Sequence, residues 1–186
     1  MRARRAFHNR IVAALLPLFL FAGAAFDQTA KLDDLFRKLQ GSDEAASARA
    51  EQEIWIEWSK SGSPAMDLLL ERGRQALEEG QVTLAIDHFS ALIDHDPQFA
   101  EGWNARAIAY FQEGDLGPAV SDIVHVLRLN PRHFGALAGL GSIFEQLGKP
   151  EKALEAYRAA LAIHPHMAEV LDAVKRLEAE TQGQDL

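Results

Sequence analysis

The sequence predicts an all-α fold: an α-solenoid of three helical hairpins, with an N-terminal helical extension and a C-terminal capping helix. Three observations predict it. Proline recurs every 34 residues, at Pro97, Pro131 and Pro165. Gly80, Gly114 and Gly148 keep the same spacing, as do Ala85, Ala119 and Ala153. Between these marks, apolar residues follow a helical period, with Trp103, Ala107, Tyr110 and Phe111 at i, i+4, i+7 and i+8. Agreement of several independent positions over three periods is the mark of a repeat architecture.

The first segment stands apart. Arg2, Arg4, Arg5 and Arg10 precede an apolar run over residues 11–22, followed by Ala22-Gly23-Ala24-Ala25. This is the three-part layout of a secretory signal peptide over residues 1–24, cleaved after Ala24 or Ala25. The run is short for a membrane span, which needs about 20 residues. An uncleaved anchor is the other reading, and it would hold the chain at a membrane, as would an aromatic patch in the N-terminal helices if the chain is a cell-envelope subunit. Cleavage removes four arginines and no acid, taking the formal charge from −8 to −12.

Residues 25–62 form the helical extension. Leu32, Leu35, Phe36 and Leu39 share one helical face, and a second helix spans 43–60, with Ser42 as its cap and Asp43 and Glu44 in its first turn. Trp55 and Trp58 fall on one side of that helix. They are read either as a cap packed on the first repeat or as an aromatic partner-binding patch. The two helices also have the form of a degenerate fourth hairpin.

The three repeats are assigned to residues 63–99, 100–133 and 134–167. In the second, Gly114 ends the first helix, because glycine readily adopts the left-handed conformation beyond a helix end. Pro118 falls in the first turn of the next helix, where its missing N–H costs nothing. Ala119, Ile123, Val126 and Leu127 make that helix's apolar face, and Asn130-Pro131 ends it, since the residue before proline is pushed out of the helical region. Two more sets keep the register: Gly73, Ala107 and Gly141, and Phe89, Ile123 and Tyr157. Residues 168–182 form the capping helix. Val170, Leu171, Val174 and Leu177 lie on one face, with Asp172, Lys175, Arg176 and Glu178 toward water.

Trp103, Ala107, Tyr110, Ala119, Ile123 and Pro131 match the signature positions of the tetratricopeptide repeat, a 34-residue helical hairpin, and the chain resembles that family over about 100 residues. The resemblance implies that the first helices of the hairpins line a concave groove that holds a protein or peptide partner. It places Arg74, Leu77, Asn104, Ile108, Phe111, Ala138 and Ser142 in that groove. A well-known clamp of the family grips a C-terminal carboxylate with Lys and Asn. Here Leu70, Arg74, Ala105, Gly135 and Gly139 stand at those positions, so the clamp is absent. Gly135 and Gly139 have no counterpart in the second repeat, and they are read as room for a ligand backbone or for the turn at Arg132-His133.

Composition narrows the function. An acidic chain without a basic patch does not suit nucleic acid. The absence of cysteine excludes disulfides, thiolate metal sites and a Cys nucleophile. No nucleophile elbow or phosphate-binding loop appears, so the chain is read as a non-enzyme without cofactor. His133, His164 and His166 lie at inter-repeat turns without metal-ligand spacing and are read as solvated. The sequence therefore points to a periplasmic protein-interaction module, with a structural subunit of a cell-envelope assembly as the second reading.

Overall fold

The structure is a computed structural model that describes residues 30–184, with side chains to residue 180. The signal-peptide assignment lies outside the described residues. Among these, all regular structure is helical: α1 (30–39), α2 (Glu44–Trp58), α3 (Pro64–Glu78), α4 (Val82–His95), α5 (Ala100–Glu113), α6 (Leu116–Leu129), α7 (Phe134–Gln146), α8 (Pro150–Ile163) and α9 (Ala168–Gln184). The cap of α2 is Asp43, whose side chain accepts from the Ala46 N–H, one residue later than the sequence suggested. No described helix is long and apolar enough to cross a membrane.

The three central hairpins are α3–α4, α5–α6 and α7–α8. Each turn is closed by a glycine in the left-handed region, with φ of 73° at Gly80, 88° at Gly114 and 64° at Gly148. The same pair of bonds satisfies the orphan carbonyls at each helix end. Gln81 N–H donates to Ala76 O at 2.8 Å and Gly80 N–H to Leu77 O at 3.0 Å, and the pattern repeats at Asp115 and Gly114 and at Lys149 and Gly148.

Within each hairpin, a small residue on the first helix faces a large one on the second. A Cβ built on Gly73 would lie 2.2 Å from the Phe89 ring, and one on Gly141 would lie 2.4 Å from Tyr157. The middle hairpin uses Ala107 and Ile123, both buried in one cluster. The two register sets seen in the sequence are thus the two sides of one contact, and their sizes compensate.

Successive hairpins pack α4 on α5 and α6 on α7, while α3 also touches α5 and α5 touches α7. The first helices therefore line the inner face. Beyond α8, α9 buries Val170 and Leu177 against Ala153, Leu154 and Tyr157.

The N-terminal hairpin departs from expectation. Its cluster joins Leu35, Phe36, Leu39, Ala50 and Ile54 to Phe134, with Ile163 and Met167 alongside and no side chain from α3 or α4. It does not stack as a fourth repeat, and Trp55 and Trp58 do not cap the first one. They pack on the third, because the array's inner rim offers Phe134 and the cleared surface at Gly135.

Candidate functional site

The inner face has two parts, a rim at the N-terminal ends of α5, α7 and α9, and an open stretch further along the helices. The rim is occupied by the chain itself. Trp58 stacks on His133 with centroids 4.4 Å apart, and Trp55 meets Phe134 edge-on at 5.4 Å. A Cβ on Gly135 would lie 2.6 Å from the Trp55 ring. Gly135 therefore makes room for the chain's own tryptophan, in place of a ligand backbone or the preceding turn. Gly139 meets only Ile123, at an ordinary 3.9 Å. Asp33 pairs with Arg132 at 2.8 Å, while the Arg132 guanidinium lies 4.1 Å over the Phe36 ring. His166 Nε2 donates to Gly41 O at 2.6 Å, and Gln40 donates to Ala162 O.

Beneath the tryptophans lies a buried polar cluster. Glu101, 3% exposed, accepts from Arg74 at 2.6 Å and contacts His133 Nε2 at 3.3 Å. His133 Nδ1 accepts the Ala136 N–H at 3.0 Å and so caps α7. That bond fixes the tautomer: the proton sits on Nε2, directed at Glu101. Arg74 also donates to Ser59 Oγ at 3.1 Å, which ties α3 to the link after α2.

The groove residues named from the sequence divide accordingly. Arg74 is engaged by Glu101 and Ser59. Asn104 was expected to present its side chain in the groove; it is instead 4% exposed, with its amide turned toward Glu101 at 3.4 Å. Leu77 is half-buried against the first hairpin's core, and Phe111 against the second's. Ser142 Oγ lies 3.1 Å from Tyr157 OH, and Ala138 packs on the third hairpin's core. Ile108 is 46% exposed and opens onto a small apolar pocket of about 60 Å³ between α5 and α7, lined by Phe111, Gly139 and Ile143. Trp55 and Trp58 are committed within the chain, which removes them as an exposed aromatic patch.

Sequence reasoning missed two features. Arg106 makes a two-pronged ion pair with Asp122, at 2.8 and 2.9 Å, and the hydrogen bonds to that carboxylate raise the guanidinium above its usual range. Tyr157 is pushed up to about 12 by burial and by the Glu145 carboxylate that it donates to at 2.6 Å. Both pairs hold the second helix of a hairpin on the first.

The histidines also differ from expectation. His133 and His164 are 1% and 3% exposed, buried by the docked hairpin. Burial pushes His164 below its ordinary value of 6.5, only partly opposed by Glu51 at 3.3 Å, and its Nδ1 has no hydrogen-bond partner. His166 faces it from the same turn, and Glu44, Glu51, Glu169 and Tyr157 line the adjoining clefts. A depressed histidine is neutral in the folded state, so the unfolded chain takes up the proton first. Its contribution to stability is present above about pH 6.5 and is lost as pH falls, with a slope of at most about 1.4 kcal/mol per pH unit. Urea midpoints followed by tryptophan emission should fall between pH 7.5 and 5.5, and His164→Gln should flatten that slope. An equal slope in the variant would assign the effect to other groups. Among the described residues, no cluster of three or more His, Asp or Glu is arranged to hold a metal ion.

Comparison with known proteins gives the family. Tetratricopeptide-repeat family models match residues 70–124 and 135–167. A TPR repeat-containing protein of Rhizobium etli is 32% identical over 203 aligned residues, covering 98% of both chains. The Hsp70-Hsp90 organizing protein of Triticum aestivum is 26% identical over 57% of this chain, which spans only 18% of that relative's length. Among solved structures, the first TPR of Spaghetti (RPAP3), bound to an HSP90 peptide, superposes with a TM-score of 0.61 at 26% identity, covering 63% of this chain and 93% of that one. The MamA protein shares the fold with a TM-score of 0.60 at 20% identity, over 85% of this chain and 84% of its own. Repeat register, turn geometry, inner face and these relatives agree: the chain belongs to the tetratricopeptide-repeat family.

Proposed function

We propose that the chain is a periplasmic protein-interaction module that holds a segment of a partner protein on its inner face. The observation that carries this reading is Ile108, a large apolar side chain left 46% exposed beside an open apolar pocket on the surface formed by the first helices. A half-exposed isoleucine at a pocket mouth gains by burial, and a partner side chain entering there supplies it. The Spaghetti domain, which shares the fold, carries a bound HSP90 peptide, and this supports a peptide or protein partner for the present chain. The present chain lacks the Lys and Asn of the carboxylate clamp, so its recognition is apolar rather than directed at a chain terminus.

Ile108→Asp tests this reading. Crosslinking in periplasmic extract followed by pull-down should recover the partner at least tenfold less with the variant. Its unfolding free energy should stay within about 0.5 kcal/mol of the parent's, as for other surface changes. Equal recovery with both chains would reject the site. The periplasmic assignment rests on the basic, apolar and small-residue layout of residues 1–25. It requires a mature N-terminus just beyond Ala24 or Ala25 by mass spectrometry, and an intact Met1 in a membrane fraction would overturn it.

A further inference from the structure

We infer that the rim of the inner face is a receptor for an acidic amphipathic helix carrying two aromatic side chains one turn apart, and that the α1–α2 hairpin is its resident occupant, displaced when such a partner binds. This rests on the reading of the chain as an interaction module and names what that module takes.

Four observations carry it. The first is the separateness of the hairpin. The array has its own clusters, centred on Phe89, Ile123 and Tyr157, and none of them contains a side chain of α1 or α2. Phe134 is the one fully buried array residue in the hairpin's cluster. The second is the link. Residues 59–63 join the hairpin to α3 without helix, and Gly62 stands at a φ of 84° with nothing within 4 Å of a built Cβ. Ser61 is held to Asp67 of α3 at 2.8 and 2.6 Å, so the hairpin swings away at Ser59, with loss of the Arg74–Ser59 bond, while the start of α3 stays in place.

The third observation is how the rim is shaped. Gly135 sits in the first turn of a helix, where an alanine would strike Trp55, and His133 presents its ring face to Trp58. These are pockets for two aromatic side chains at i and i+3 of a helix, a spacing that puts both on one face. The fourth is charge. Arg132 of the array meets Asp33 of α1 at 2.8 Å, while Arg74 is already paired with the array's own Glu101 and gives the link only a bond to the Ser59 hydroxyl. An exogenous helix with the same aromatic pair and an acid that reaches Arg132 takes the place of Asp33, whereas a basic helix leaves Arg132 unpaired. The receptor mode is a helix laid in a groove and read by spaced anchors.

Because an occupied site weakens any competitor by the fraction of time that it is filled, emptying the site should strengthen binding. The probe is a fluorescein-labelled synthetic peptide of residues 42–61, which contains Trp55 and Trp58. In the full chain, Trp55→Ala with Trp58→Ala should bind this peptide at least tenfold more tightly than the parent. The same peptide with both tryptophans replaced by alanine should bind neither chain. A second arm tests displacement in a chain that keeps its tryptophans. The protein has no cysteine, so Gln40→Cys with Ala162→Cys gives a unique pair that a short bismaleimide can bridge. Bridging should weaken peptide binding at least tenfold relative to the same variant capped with N-ethylmaleimide.

If the doubly substituted chain keeps its helical circular dichroism and does not bind the peptide, the inference fails. Equal binding by bridged and capped chains places the peptide elsewhere and also overturns it. Bridging between two molecules, seen as a covalent dimer, would make a second copy the occupant and reject an external helix. These outcomes are separate from those of Ile108→Asp. A silent Ile108→Asp with intact displacement rejects the apolar pocket alone, and a lost partner with no displacement rejects the helix receptor alone.

Discussion

Phe134→Ala should cost about 3–5 kcal/mol, the usual range for deleting a fully buried phenylalanine. The ring is 0% exposed and lies 5.4 Å from Trp55, 5.2 Å from Trp58 and 5.1 Å from His164. Its removal leaves a void that two rigid indoles cannot fill without leaving their contacts with His133. Because Phe134 belongs to the hairpin's cluster rather than to the array's, the loss should appear first as undocking. Tryptophan emission should shift to the red at low urea while most of the helical signal survives to a later transition. A single transition with the parent's midpoint would mean that the hairpin is held by something other than this ring.

Gly73→Ala should cost about 1–3 kcal/mol, even though alanine is favoured over glycine in a helix by about 1 kcal/mol. The added Cβ would lie 2.2, 2.6 and 2.7 Å from three atoms of the Phe89 ring, which is fully buried and has nowhere to turn. The middle hairpin shows the remedy, since it pairs Ala107 with Ile123. Gly73→Ala combined with Phe89→Ile should therefore recover most of the loss that Gly73→Ala causes, a coupling that a double-mutant cycle measures by urea melting. Additive costs would show that residues 73 and 89 do not share one contact.

The array was legible in the sequence because each hairpin is specified locally. Gly80, Gly114 and Gly148 end helices by their own backbone freedom, and Pro64 and Pro150 start them by their own ring. The hairpin's destination was not legible, because no local rule links Trp55 to a helix 80 residues away. The signal available was a mismatch on both sides: two tryptophans without a determined surface, and a glycine at 135 with no counterpart at Glu101. Joining them would have placed α2 on α7. The burial of His133 and His164 follows from that docking, so reading them as solvated failed together with it. Arg106 was hidden for another reason. Its partner Asp122 lies 16 residues on, on the second helix of the same hairpin, and an acid there looks like any solvated charge until the helices are brought together.

Docking of the first hairpin on the last repeat also changes what kind of object the array is. An open solenoid is nearly one-dimensional: each unit answers only to its neighbours, and units can be added without altering the rest. Here Gln40 reaches Ala162, 122 residues away, and Gly41 reaches His166, 125 residues away. These contacts close the row into a loop of fixed circumference. Inserting one more 34-residue unit anywhere between α3 and α8 would move the Phe134 rim out of the hairpin's reach or give the hairpin the wrong turn to grip. The number of repeats is thereby counted by the molecule itself. Formation of the last contact also waits on nearly the whole chain, which makes ring closure a late event in folding.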